Sequence, residues 1–219
     1  MAISKLNFNS LNITAAANKG IGFDSGADDL EATFSGGNMT FIKKLTASSS
    51  GTLSFVNGAS SVVLDSTYKE YMFIFKDIHP GTDDVQFQIN FSADTGSNYN
   101  VTKTTTNFVA WHDEGDSSTN LSYRTGEDLA QSTAFLNVNN SLGTDADQTL
   151  SGTLHLFNPS STTFVKHFFS NTNNYHKDNY SNNVYMAGYG NTTSAIDAVQ
   201  FKMSSGNIDA GTIVLYGIN

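Results

Sequence analysis

The stretch Phe201-Lys-Met-Ser-Ser-Gly-Asn-Ile-Asp-Ala-Gly-Thr-Ile-Val-Leu-Tyr-Gly-Ile218 decides the fold class. Val199, Phe201 and Met203 alternate with Gln200 and Lys202, a polar turn follows, and the chain returns through Ile213, Leu215 and Gly217 set against Val214, Tyr216 and Ile218. A period of two puts successive side chains on opposite faces of a strand, so this text predicts two antiparallel strands closing as a β-hairpin. It specifies an architecture and no reaction.

The same period recurs upstream. In Val85-Gln-Phe-Gln-Ile-Asn-Phe-Ser92, Val85, Phe87, Ile89 and Phe91 share one face and predict core, with the polar residues between them facing water. Tyr71-Met-Phe-Ile-Phe75, inside a strand-like run from Tyr68 to Ile78, has large side chains on both faces, which predicts a strand central in a sheet or at a subunit contact. Pro80 lacks a backbone N–H and Gly81 eases a turn, so the run ends there. Thr40–Thr46 and Gly51–Val56, separated by Ser48-Ser-Ser-Gly51, predict a further hairpin. Strand-like text also covers 107–111, 121–123, 133–138, 149–157, 163–170, 183–189, 198–203 and 211–218, and the only helical hint is a turn near Glu127–Gln131. Many short strands with polar turns predict an all-β domain over residues 40–219, an antiparallel β-sandwich of jelly-roll-like type.

Composition agrees. Aromatics make up 12% of the chain and charged residues only 14%, which suits strands and turns rather than surface helices. A net charge of -9 with a single arginine, Arg124, argues against tracking phosphates, so no nucleic-acid partner is expected. With no cysteine, packing alone must hold the fold. The start of the chain lacks the apolar run of a secretory signal, and Tyr71–Phe75 is too short to cross a bilayer. Synthesis in the cytoplasm without membrane insertion is therefore expected.

Residues 1–39 differ in kind. Leu6, Phe8, Leu11, Ile13, Phe23 and Phe34 are spaced irregularly among Asn, Gly, Ala and Asp, with no sustained period. Large apolar residues supplied singly predict an extended N-terminal arm that docks them on a neighbouring subunit.

No motif carries catalysis. The five histidines, His79, His112, His155, His167 and His176, form no metal-ligand spacing, and no Gly-x-Ser-x-Gly elbow is present. Asp113, Glu114 and Asp116 around Gly115, Asp145 with Asp147, and Asp24 with Asp28 and Asp29 lack the spacing of a calcium loop and read as acidic turns. Catalytic residues, cofactor and metal are accordingly all expected to be absent. Trp111, Tyr175, Tyr180 and Tyr185 are the candidates for stacking on a glycan or for contacting a partner, with Asn171–Asn183, which contains Tyr175 and Tyr180, read as the best candidate loop.

The Ser205-Gly-Asn-Ile208 turn leading into Gly211-Thr-Ile-Val-Leu-Tyr-Gly-Ile218 resembles the C-terminal hairpin of a family of small virion structural proteins from tailed bacteriophages, chiefly marine ones. Tyr71–Ile78 and Thr149–Phe168, including Leu154-His-Leu-Phe-Asn-Pro-Ser-Ser161, resemble that family more loosely, as does the opening Met1-Ala-Ile-Ser-Lys-Leu-Asn-Phe8. The resemblance implies a non-enzymatic virion protein, a tail fibre or tail-associated adhesin, anchored by its arm to capsid, portal, neck or tail proteins. It further implies a homo-oligomer, a trimer by the habit of fibres, facing a host surface glycan. A capsid decoration (cement) or neck protein, and a carbohydrate-binding module or glycan hydrolase, stay open as alternatives.

Overall fold

The computed structural model describes residues 38–219 and, before them, the backbone of two strands, β1 (Gly20–Phe23) and β2 (Leu30–Phe34). These two pair antiparallel, with Gly20 opposite Phe34 and Phe23 opposite Leu30. Part of the region expected to be a single extended arm is thus a ribbon, which irregular apolar spacing did not indicate. Of the arm residues, Leu6, Phe8, Leu11 and Ile13 lie outside the described residues, while Phe23 and Phe34 fall on the two paired strands. Two compact units divide the chain, Met1–Thr40 and Phe41–Asn219.

Twelve further strands follow: β3 (Met39–Thr46), β4 (Leu53–Val56), β5 (Glu70–Pro80), β6 (Phe87–Ser92), β7 (Lys103–Asp113), β8 (Thr119–Tyr123), β9 (Leu136–Asn137), β10 (Leu150–Phe157), β11 (Lys166–His176), β12 (Tyr180–Gly190), β13 (Ala198–Met203) and β14 (Ile208–Ile218). No helix occurs among the described residues, and Glu127–Gln131 is irregular chain leaving a turn that ends at Glu127. One sheet has eight strands in the order β3-β14-β5-β10-β11-β12-β7-β8, and the other has four in the order β4-β13-β6-β9. The half-sheet β3-β14-β5-β10 facing β4-β13-β6-β9 has the strand order of a jelly roll, in which the chain crosses repeatedly from one layer to the other. The remaining strands are insertions, β7 and β8 between β6 and β9, β11 and β12 between β10 and β13. They lengthen the large sheet on one side only.

Both expected hairpins are corrected by this topology. β13 pairs with β4 and β6, whereas β14 pairs with β5 in the other sheet, so the closing segment crosses the sandwich instead of folding back on itself. Ser204 still donates to the Gln86 carbonyl in the small sheet, and by Ile208 the chain exchanges bonds with Ser50 beside the large one. β3 and β4 likewise belong to different sheets. Alternation states which side chains are buried and not which strand lies alongside; placing two apolar faces opposite one another across the interior buries both.

The space between the layers is filled by aromatic rings. Phe201 of β13 stands 5.4 Å from both Phe73 and Phe75 of β5, and stacks on Phe87 of β6 at 5.8 Å. Phe55 meets Phe73 at 5.3 Å. Tyr71, Phe73 and Phe75 are buried on the central strand β5, as the crowding of large residues there predicted. Val85, Phe87, Ile89 and Phe91 are buried as expected, but the opposite face of that strand is not uniformly wet. Asn90 is fully buried, donates to the Tyr99 carbonyl at 2.6 Å and the Thr133 carbonyl at 3.0 Å, and accepts from the Lys103 ammonium. A buried amide is tolerable only when its donors and acceptor are all used, and these are.

Under the inserted strands the interior turns polar. Thr105, Asn107, Ser170, Thr172, Asn174 and Asn182 are buried there; the segment between β8 and β10 supplies partners for Thr105, Thr172, Asn174 and Asn182, while Ser170 donates to the Thr153 carbonyl of β10 at 2.8 Å. Asn174 and Asn182 both donate to the Asn140 carbonyl, at 3.0 and 3.2 Å, and Thr172 donates its hydroxyl to the Val138 carbonyl. Arg124 donates to the Asn140 side-chain oxygen at 3.0 Å. These bonds fix the insertions to the jelly roll where apolar contact is thin.

Candidate functional site

The residues singled out for contact all lie on the inserted strands. Asn171–Asn183 is not a loop. β11 and β12 pair through eleven residues each, joined by the turn Lys177-Asp178-Asn179, so the tyrosines there sit on rigid strands. Asn179 occupies a left-handed conformation with φ 64°, which Asn tolerates better than most residues. The Asp178 amide donates to His176 Nδ1 at 3.1 Å, which requires that nitrogen to be unprotonated, and burial lowers the His176 pKa.

At this end of the sheet His176, Tyr180 and Trp111 form one stack, with ring centroids 5.0 Å apart for the first pair and 4.9 Å for the second. The stack closes the inward side of strands β11, β12 and β7. Tyr175 stands on the outward side, where Ser181 and then His112 follow it across the strands. Between them lies a cleft of about 280 Å³ lined by His112, Asp113, Glu114, Tyr175, Tyr180 and Ser181, together with Asn173 and Asn174. A hydrogen bond with the Glu114 carboxylate raises the pKa of the Tyr175 phenol.

The acidic turn beside the cleft is held by its own bonds. Asp113 accepts from the Ser117 amide at 3.0 Å, the Ser118 amide at 2.7 Å and the Ser117 hydroxyl, which together lower its pKa. Asp116 pairs with His112 at 3.2 Å. Among the described residues no three His, Cys, Asp or Glu side chains are placed to hold a metal ion. Glu114 is the carboxylate of the turn that reaches the cleft without closing the turn itself.

Tyr185 belongs to a different feature, a row of rings on the outer face of the large sheet. It stacks on Phe108 at 5.3 Å with the ring planes 6° apart, and Phe108 lies opposite Tyr123. Farther along the face His155 stacks on Phe169 at 4.5 Å and Phe157 tilts against the same ring at 5.8 Å. His155 Nδ1 lies 2.6 Å from a Glu70 carboxylate oxygen. Phe108, Tyr123, Phe169 and Tyr185 are all exposed. A shallow trough of about 370 Å³ runs beside Phe169, floored by Thr104, Thr106 and Ala187 and walled by His167 and Tyr189. The sequence alone does not single out Phe108 or Phe169, and it offers His155 only as a histidine outside any metal-ligand spacing and Glu114 only as part of an acidic turn, because each gains significance from its neighbours across the strands.

Two lysines are buried in the same cross-strand row, Lys103 and Lys166 on either side of Gly190. Lys103 donates to Asn90 Oδ1 at 2.5 Å and to the Val101 carbonyl at 2.7 Å; Lys166 donates to the carbonyls of Phe164 and Thr192 at 3.0 and 3.1 Å. Neither has a carboxylate partner among the described residues, and burial lowers both pKa values, that of Lys103 to about 8.

No family model, curated protein or solved structure matches this chain.

Proposed function

We propose that the chain is a non-enzymatic virion protein of a tailed bacteriophage, a tail-fibre or tail-associated adhesin. Residues 1–39 hold it to the particle, and the jelly roll presents the cleft between β7, β11 and β12 to a host surface glycan. One observation carries the glycan part of this reading. Tyr175 meets Glu114, Asn173 and Ser181 around a space of sugar size, bordered by Tyr180, whose ring is held between His176 and Trp111. Aromatic bodies beside amide, hydroxyl and carboxylate groups match the alternation of C–H faces and hydroxyls on a pyranose. The virion part rests on the resemblance of Phe201–Ile218 and on the use of jelly rolls in capsid and lectin domains, which is an analogy of fold.

The exposed rings Phe108, Tyr185 and Phe169 favour a second reading as a capsid decoration or neck protein. Stacked rings present their edges outward and offer little flat surface to a sugar, whereas contiguous exposed apolar area is typical of protein contacts.

A glycan array probed with the full chain, joined to turnover assays on the bound polysaccharide, separates the readings. Binding without turnover that falls at least about tenfold in Tyr175→Ala, while Tyr185→Ala binds normally, supports the adhesin. Silence on every glycan, with the chain found on purified capsids, supports the decoration. Cleavage of the polysaccharide would overturn both.

A further inference from the structure

The edges of the two sheets are protected unequally. Exposed edge strands carry unpaired N–H and C=O groups and are usually blunted by charge, by proline or by shortness. β9 is two residues long, β4 is four, and β3 carries Lys43 and Lys44. β8, at the far end of the eight-stranded sheet, is five residues long and carries neither charge nor proline. From Ser117 to Tyr123 the sequence Ser-Ser-Thr-Asn-Leu-Ser-Tyr contains no charge and no proline, although the chain as a whole carries -9. Among the described residues β7 is its single neighbour, and Leu121 at its centre is 71% exposed.

The register fixes which backbone groups are free. The Arg124 amide donates to the Asn107 carbonyl and the Asp113 amide to the Ser118 carbonyl, so the pairs 107/124 and 113/118 are the hydrogen-bonded kind. Bonded and non-bonded pairs alternate along an antiparallel ladder. Thr119, Leu121 and Tyr123, opposite His112, Ala110 and Phe108, therefore direct their N–H and C=O groups away from β7, toward the open edge.

We propose that β8 is a homotypic interface, at which two copies of this chain pair antiparallel about a two-fold axis through Leu121. In that register Leu121 faces Leu121 of the second copy and Thr119 faces Tyr123, and each of these pairs exchanges both of its backbone bonds, the Asn120/Ser122 pairs between them being the non-bonded kind. The contact is isologous and closes on itself. Two like-charged chains meet along their uncharged strand, and the outer rows of rings, Tyr123, Phe108 and Tyr185, continue from one copy into the other on the same face. An interface of a single strand pair is small, so the pairing is concentration-dependent in solution and strengthened where copies are held side by side. The inference does not depend on what the cleft binds.

The test is sedimentation velocity of the full chain over a wide concentration range, alongside Leu121→Lys, which places like charges on the axis, and Ser122→Pro, which disrupts the strand. A Leu121→Cys variant adds an independent readout: facing residues of a bonded pair lie about 5.5 Å apart at Cα, within disulfide reach, and the chain has no other cysteine. A wild-type dimer that Leu121→Lys reduces to monomer with an unchanged melting temperature, together with covalent dimers of Leu121→Cys under mild oxidation, is the expected result. Leu121→Cys reports even if Ser122→Pro fails to fold. A wild-type chain that stays monomeric at every concentration, an oligomer insensitive to Leu121→Lys, or a Leu121→Cys chain that gives no covalent dimer overturns the proposal.

Discussion

At the scale of single residues, Lys103 carries the clearest physical consequence. Its amine is fully buried with two neutral acceptors, so the charged form is penalised and the folded pKa falls to about 8. In the unfolded chain a lysine titrates near 10.4, so between about pH 8 and 10.4 the unfolded state binds the additional proton. Stability from this group therefore rises as pH climbs through that window, by on the order of 3 kcal/mol at most, and is lowest below it where the charge is buried. Thermal melts from neutral to alkaline pH are expected to show the rise. Lys103→Met reduces it, and Lys103→Met with Lys166→Met removes it; an unaltered profile in the double variant refutes the assignment. Phe201 gives the matching apolar case. Its ring touches Phe55, Phe73, Phe75 and Phe87, and Phe201→Ala is expected to cost about 3–5 kcal/mol in urea denaturation.

At the scale of elements, β5 and β14 are locked by an irregularity. Their register shifts on both sides of Ala210, Asp77 adopts φ 50° and Gly211 φ 114°. A Cβ on Gly211 would lie 2.6 Å from the Asp77 carbonyl oxygen, so a side chain meets backbone that cannot yield without unpairing the strands. Gly211→Ala is expected to destabilise by about 2–4 kcal/mol, read as a lowered denaturation midpoint with an unchanged slope. The β11–β12 ribbon makes an element-scale prediction for acid solution. Acidification protonates His176, whose lowered pKa makes the unfolded chain the better proton acceptor, and the proton displaces the Asp178 amide from Nδ1. Stability is lost as pH falls below about 6.5, and amide exchange at Asp178 is expected to accelerate first.

At the scale of the whole molecule, the jelly roll and its insertions divide the work. The eight jelly-roll strands enclose the aromatic core, while β7, β8, β11 and β12 carry the cleft, the rings Phe108 and Tyr185 and the open edge. β3 is part of the large sheet, so a truncation that starts the chain at Asn38 is expected to keep the cooperative unfolding of the sandwich, and one that removes β3 to lower its midpoint; calorimetry of the two truncates distinguishes them. If the anchoring proposal holds, the first truncate is also missing from purified particles. The sequence by itself determined the all-β class, the burial of Phe87, Ile89, Phe91 and Phe201, and the central place of Tyr71–Phe75, because a two-residue period and paired apolar faces are local properties of the chain. It also singled out Trp111, Tyr175, Tyr180 and Tyr185 as candidates for glycan or partner contact. Only tertiary structure decided that β13 and β14 part company between sheets, that Asn171–Asn183 is strand, that Trp111 backs Tyr180 while Tyr185 joins Phe108 elsewhere, and that Asn90 is buried against Lys103. Each of those depends on which strand lies beside which, and pairing is settled by residues far apart in the chain competing for the same edge, a competition that no single segment records.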